Sequence, residues 1–224
     1  LDRLRPAREG AAKGDYTLAL FCKGKLLEAG GQQEKARGLY LGAIRNGFDA
    51  DGGFRIRLGR IASRRSNRAA VEQYLLAAKE HPGSPLAPQA LYQAARLAQI
   101  AKDARLADAL FNRMRDEYPD FDRIPLVLFN QGWIAFRQAH YEDAARTFDQ
   151  LARQYAASDQ YERALYWGGR ARELLSGAEA ALPYYAKLVE QRPAGYYGLL
   201  ARNLLLGNSA HDPPPAVLDA EELA

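Results

Sequence analysis

A pattern recurs along this chain at a spacing of thirty-seven residues: a small residue, an aromatic four positions later, and in most copies a proline eight beyond that. The small positions are Ala70, Ala107, Ala144 and Ala181, and the aromatic ones Tyr74, Phe111, Phe148 and Tyr185. Pro82, Pro119 and Pro193 hold the third position, with Ala156 replacing proline in one copy. A further copy begins thirty-four residues upstream, at Ala36 and Tyr40. A fixed period of this length excludes most folds and predicts a stack of helical hairpins, each burying its apolar face against the next. Alanine lets two helices approach, the aromatic one turn on fills the space beside it, and proline past the helix end stops the helix.

The first helix of each unit has its own pattern. Large residues at Leu20, Phe54, Leu91, Leu128 and Leu165 are followed four residues later by Gly24, Leu58, Ala95, Gly132 and Gly169. Together the two patterns resemble the tetratricopeptide repeat, lengthened by three residues that are assigned to longer turns between helices or between repeats. The expected fold is all-α, a right-handed superhelical solenoid of tetratricopeptide-like hairpins. Helices are predicted near 15–29, 33–46, 54–63, 67–80, 86–101, 104–117, 125–138, 142–155, 160–175 and 178–191, with a capping helix near 195–206. About five hairpins and the cap thus occupy residues 1–207, after an irregular lead-in or an incomplete helix over residues 1–14. The second unit is the weakest, because Asp51-Gly52-Gly53 opens it and residues 60–68 are polar; its first helix is expected to be short and irregular. Residues 208–224 read as a proline-led acidic linker, since Pro213-Pro214-Pro215 cannot join a helix.

Composition narrows the functional classes. With 48% hydrophobic residues the chain can bury a core, and no apolar run is long enough to span a membrane. The net charge of +4 is uneven, because Asp212, Asp219, Glu221 and Glu222 lie in a tail without Lys or Arg. Arginines such as Arg64, Arg65 and Arg68 are scattered as on a solvated face, so nucleic acid is not an expected partner, although an anionic polymer is permitted. The lone Cys22 falls in a helical pattern and is expected to be a buried or half-buried thiol. His81, His140 and His211 stand apart at turn positions, and no phosphate loop or nucleophile elbow occurs. No catalytic residue, cofactor or metal ligand is therefore assigned. Leu1 opens the chain without a signal peptide in view, which is expected of a piece of a longer protein.

A ligand is expected along the first helices, which line the inner face of such stacks. The repeat register puts Tyr92, Phe129 and Tyr166 in one row and Arg96, Trp133 and Arg170 in the row four residues on. Aromatic faces can stack on sugar rings or peptide side chains, and arginine can clamp carboxylates. The competing reading has the aromatics packing between adjacent first helices. Packing is favoured for the aromatics, ligand contact for Arg96 and Arg170.

The C-terminal part adds a resemblance. Ala164-Leu165-Tyr166-Trp167-Gly168-Gly169-Arg170-Ala171, Ala180-Ala181-Leu182-Pro183-Tyr184-Tyr185 and Arg192-Pro193-Ala194-Gly195-Tyr196-Tyr197-Gly198-Leu199-Leu200-Ala201-Arg202 follow one another. They resemble the end of the helical domain of soluble lytic murein transglycosylases, where a Tyr-Tyr-Gly-Leu-Leu-Ala helix closes the stack ahead of the catalytic domain. His81-Pro82-Gly83-Ser84-Pro85-Leu86-Ala87 and the repeat holding Trp133 are similar to the same region, so the likeness runs from about residue 80 to 207. It implies a periplasmic protein whose helical domain binds or positions peptidoglycan for a catalytic domain elsewhere in the polypeptide. The catalytic glutamate of that family, which precedes a serine, has no counterpart here, because no Glu is followed by Ser. The alternative is a periplasmic tetratricopeptide scaffold that binds partner proteins in envelope assembly or cell division.

Overall fold

Helix phase follows the small-and-aromatic pattern almost residue by residue. The computed structural model describes residues 11–207, in which α1 (Ala11–Ala29), α2 (Gln33–Arg45), α3 (Gly53–Ser63), α4 (Asn67–Glu80), α5 (Ala87–Ile100) and α6 (Ala104–Glu117) are followed by five more helices. These are α7 (Ile124–Arg137), α8 (Tyr141–Gln154), α9 (Tyr161–Ser176), α10 (Ala178–Gln191) and α11 (Tyr196–Leu205). No strand occurs among the described residues. Two compact units result, one ending at Ile124 and the other beginning at Pro125. In each, helices pack chiefly on their neighbours in the chain, as stacked hairpins do. The expected lead-in lies outside the described residues up to residue 10, and helix begins at Ala11, so Gly14 is helical. The proline-led tail with His211 also lies outside them.

The five small positions, Ala36, Ala70, Ala107, Ala144 and Ala181, are all fully buried, and the aromatics four residues on are no more than 6% exposed. Tyr40, Tyr74, Phe148 and Tyr185 each enter the notch left by a glycine on the preceding helix. A Cβ on Gly132 would fall 2.6 Å from the Phe148 ring, and one on Gly169 would fall 2.7 Å from that of Tyr185. The Tyr40 ring occupies the space a Cβ on Gly24 would need. The second unit corrects the expected register. Its notch is Gly59, whose Cβ would lie 2.8 Å from Tyr74, and Leu58 instead joins a buried cluster with Tyr40, Phe54 and Ile61. Asp49 and Asp51 set the helix phase there by accepting the N–H groups of Phe54 and Gly53, both at 2.9 Å. One residue of shift turns a side chain by about 100° around the helix axis, enough to exchange notch for wall. As expected, α3 is short, at 11 residues, and begins after left-handed Gly52 at φ 84°.

The extra residues were expected in the turns, but within this chain the thirty-seven-residue units exceed the thirty-four-residue one in the first helix, 14 residues in α5 and α7 against 11 in α3, while the connection before α3 is no shorter than the later ones. His81, Tyr118, Tyr155 and Arg192 end their helices with φ of −132°, −137°, −130° and −138°. With ψ of 59°, 57°, 46° and 56° they are neither helical nor fully extended, and the copy followed by Ala156 adopts the same conformation as those followed by proline, so the connection as a whole dictates it. Ser84, Phe121, Ser158 and Gly195 then donate their N–H groups back to those four carbonyls at 3.0 Å. In the first three a second turn follows at once, with Ala87, Ile124 and Tyr161 donating to Ser84, Phe121 and Ser158.

Within hairpins, three turns share one design. Gly31, Lys102 and Ala139 are left-handed at φ 72°, 60° and 59°. The next residue's N–H reaches back to Leu27, Ala98 and Ala135 respectively, closing a Schellman motif. A side chain in this conformation costs roughly 1–2 kcal/mol. Ala139→Gly is therefore expected to raise stability by about 0.5–1 kcal/mol, read as a higher urea midpoint at unchanged m-value.

Cys22 corrects another expectation: its thiol is exposed. Leu18 and Leu26, four residues to either side, are 63% and 74% exposed. As the first described helix, α1 packs on α2 and leaves this second stripe outward.

Candidate functional site

Of the six residues placed in the ligand rows, four are buried. Tyr92, Arg96, Phe129 and Tyr166 are 1%, 2%, 3% and 0% exposed. The three buried aromatics rest on neighbouring rings and guanidiniums. Tyr92 has the Arg123 guanidinium 5.5 Å from its ring centre, and Phe129 has that of Arg163 at 3.9 Å and the Phe148 ring at 5.6 Å. Tyr166 meets Trp167, Tyr185 and Tyr197 at 5.4, 6.1 and 5.4 Å. Arg96 sits within 3.4 Å of Gln93 and is enclosed by its helix neighbours, against the expectation that it faces a ligand. The alanines that let α5 pack closely leave its guanidinium little path to solvent.

Arg170 is tied into the fold. It donates to Glu173 at 2.6 Å, and the same carboxylate accepts the Tyr185 hydroxyl at 2.9 Å. A similar triad joins the first hairpin to the second, where Glu28 of α1 accepts the Tyr40 hydroxyl at 2.6 Å and, from α3, the Arg57 guanidinium at 2.8 and 2.6 Å. Glu28 and Glu173 each stand four residues after the glycine that receives the ring. Where the ring is Phe111 or Phe148, that position holds Gln99 or Phe136. A carboxylate at this position accompanies two of the three tyrosines and neither phenylalanine, the exception being Tyr74 over Gly59, where the position holds Ser63; that partial match is the signal that could have assigned Glu28 and Glu173 a packing role from sequence.

Burial and then the bond to a carboxylate push both phenols, Tyr40 and Tyr185, far above their ordinary value of 10.0. Burial also raises Tyr74 and Tyr197. The folded state thus favours the protonated phenols. Their contribution is fully present below the unfolded-state value and is lost as pH climbs from there toward the folded ones. Urea midpoints are expected to hold to about pH 9 and to fall steeply beyond about pH 10.5, with a shallower fall in Tyr185→Phe.

Trp133 is the predicted row residue that stays partly accessible while resting on other rings. It stacks on Phe136, one turn along α7, with centroids 5.6 Å apart and planes 10° from parallel. Trp167 of α9 meets both edge-on, at 4.7 and 5.1 Å, and is 2% exposed. Tyr141, opening α8, adds its ring 5.5 Å from Phe136. Three partly exposed rings over a buried indole make an aromatic platform on the second unit. Trp167 was missed because it lies thirty-four residues from Trp133, three short of the repeat, and a column reading pairs Trp133 with Arg170 instead. Three residues are nearly one turn, so neighbouring helices bring the two indoles level. Such a platform offers flat apolar faces to prolyl or aliphatic side chains and to the C–H faces of sugars.

Comparison with known proteins agrees with this architecture. The family model of the tetratricopeptide repeat matches residues 126–158, the hairpin of α7 and α8 that carries Trp133. No curated protein sequence matches the chain. Among solved structures it is similar to MamA, at 14% identity and a TM-score of 0.61, over 89% of this chain and 100% of that one. It is also similar to PilW, described as a type IV pilus biogenesis factor, at 15% identity and 0.56, over 84% and 82% of the two chains. A third is YrrB, described as a tetratricopeptide protein with an unusual peptide-binding site, at 16% identity and 0.56, over 80% and 88%. At these identities the likeness establishes the fold, an all-helical array of tetratricopeptide-like hairpins. No helix among the described residues is long and apolar enough to cross a membrane.

Proposed function

We propose that this chain is a recognition module that binds a segment of a partner protein, with the platform around Trp133 as its contact surface. The carrying observation is that Trp133, Phe136 and Tyr141 remain partly exposed in a chain whose other repeat-register aromatics are buried. Rigid rings lose little entropy on contact, which is why aromatic anchors dominate binding energies at interfaces. The peptide-binding site in the description of YrrB is in keeping with this reading. Photo-crosslinking from p-benzoylphenylalanine at position 136, in cells expressing the protein, should give a discrete protein adduct that Trp133→Ala abolishes. Adducts that persist in Trp133→Ala would remove the platform from the interface.

A second reading follows from the resemblance to lytic transglycosylases: a periplasmic, non-catalytic domain that positions peptidoglycan for a catalytic domain of the same polypeptide. A stacked, partly exposed Trp133 suits a sugar face as well as a side chain. The Tyr196–Arg202 motif has a packing role beside any family meaning, since Tyr197 lies on Tyr166 and Gly198 abuts the Arg192 carbonyl. Both tryptophans of the chain belong to the platform, so tryptophan fluorescence, excited where tyrosine does not absorb, reports on it. Retention by insoluble peptidoglycan, with a fluorescence change on adding soluble fragments, is the result this reading requires. Retention no greater than that of serum albumin rejects it.

A further inference from the structure

A cavity of about 650 Å³ lies in the first unit between α2 and α4, the second helices of the first two hairpins, and is closed at one end by the turn after α3. Its origin is the weak second unit: α3 stops at Ser63 after 11 residues, and α2 and α3 share a smaller interface than α3 and α4. Leu41, Leu58 and Ile61 make an apolar floor, and Arg37 and Arg64 stand at the rim. No ion pair joins either arginine among the described residues, and the lining carboxylate besides Glu34, Glu72, meets Arg68 at 3.5 Å outside the cavity lining. A third rim arginine, Arg65, is held by Glu34 at 2.9 Å, but both side chains are mostly exposed, so this pair is weak and open to exchange. The N-terminus of α4, capped by Ser66, adds partial positive charge to the same wall.

Two further lining residues carry unmet hydrogen-bonding capacity. Gln33 and Gln73 each hold a side-chain carbonyl oxygen that is shielded from solvent and has no hydrogen-bond partner. Leaving such an acceptor unsatisfied is costly, and turning either amide toward the cavity would let it accept an N–H there. An apolar floor, amides on two walls and unpaired guanidiniums at the rim match the parts of an extended peptide. An aliphatic side chain goes down, backbone N–H groups meet the amides, and a carboxylate meets the arginines.

We infer that this cavity is a second recognition site, seating a short partner segment in which an aliphatic residue is followed by acidic ones. The inference rests on reading the chain as a protein-recognition module, and adds a site and a ligand chemistry to it.

The test is a ¹H–¹⁵N NMR titration of the whole chain with acetyl-Leu-Asp-Glu-amide as the probe. The expected result is saturable shifts of the Gln33 and Gln73 side-chain amides and the Ala69 backbone amide at millimolar probe. Acetyl-Leu-Lys-Lys-amide and acetyl-Ser-Asp-Glu-amide should shift them less. The double variant Arg37→Ala, Arg64→Ala, altered only at exposed side chains, should weaken binding about three- to tenfold. Absence of saturable shifts up to about 10 mM probe, or equal affinity in the double variant, would overturn the inference. So would shifts of these signals on concentrating the protein alone, which would mean that a second copy fills the cavity. Shifts confined to the indole N–H signals of Trp133 and Trp167 would also overturn it, while leaving the recognition reading in place.

Discussion

Phe148→Ala is expected to destabilise the protein by about 3–5 kcal/mol, lowering the urea midpoint with little change in m-value. The ring is fully buried, against Phe129 at 5.6 Å and in the notch over Gly132. Truncation costs most where the surroundings cannot collapse into the space left behind. Here the facing wall is the backbone of α7, because Gly132 has no side chain to move, and the Cβ of Phe148 also touches the space above Gly168. A compensating change follows from the same geometry. Gly132→Ala alone puts a methyl 2.6 Å from the ring and should destabilise, whereas in the Phe148→Ala background that methyl enters a void and should restore stability. A reversal of sign between backgrounds is the diagnostic outcome. Additive losses would mean that notch and ring do not meet.

Glu28→Ala ranks beside it, with an expected loss of about 3–5 kcal/mol. The Glu28 and Arg57 side chains are 9% and 16% exposed, so solvent screens the pair little. The carboxylate also accepts the Tyr40 hydroxyl, and its removal strands a guanidinium and a phenol between the first hairpin and α3. Glu28→Gln keeps one acceptor for Tyr40 and should lose less. Replacing all three groups together, as Glu28→Leu with Arg57→Met and Tyr40→Phe, should recover most of the loss, because matched apolar groups need no partner. If the triple variant is no better than Glu28→Ala, packing by the Glu28 stem, and not the stranded polar groups, sets the cost. The same comparison at Glu173 and Arg170 would separate the triad from its position in the stack, as Tyr185 repeats the role of Tyr40.

Helix positions were legible because they depend on local rules that a linear pattern carries. The residues at 104–117 and 178–191 could be bounded from sequence since Asp103 caps the first, its carboxylate accepting the Leu106 N–H, and Gly177 breaks the chain before the second. The pairing of Ala144 with Phe148, or Ala181 with Tyr185, was legible for the same reason: residues four apart share a helix face whatever surrounds them. The ligand rows were less legible. Arg96 and Trp133 occupy one register position, yet the first is enclosed among the alanines of α5 and the second is partly open. A repeat register gives the angle of a side chain about its own helix and says nothing of how closely the next helix approaches.

From its sequence alone, then, this protein is a series of helical hairpins with rings seated in notches, because helix periodicity, turn-forming residues and the size of alanine and glycine act over a few residues at a time. Tertiary structure alone decided that Gly59 and not Leu58 forms the second notch, that Trp133 stacks beside Trp167 across three positions of offset, and that a cavity opens between α2 and α4. Those outcomes depend on the relative rotation and separation of neighbouring helices. The capping hydrogen bonds, the link lengths and the bulk of distant side chains set these together, and no single stretch of chain contains them.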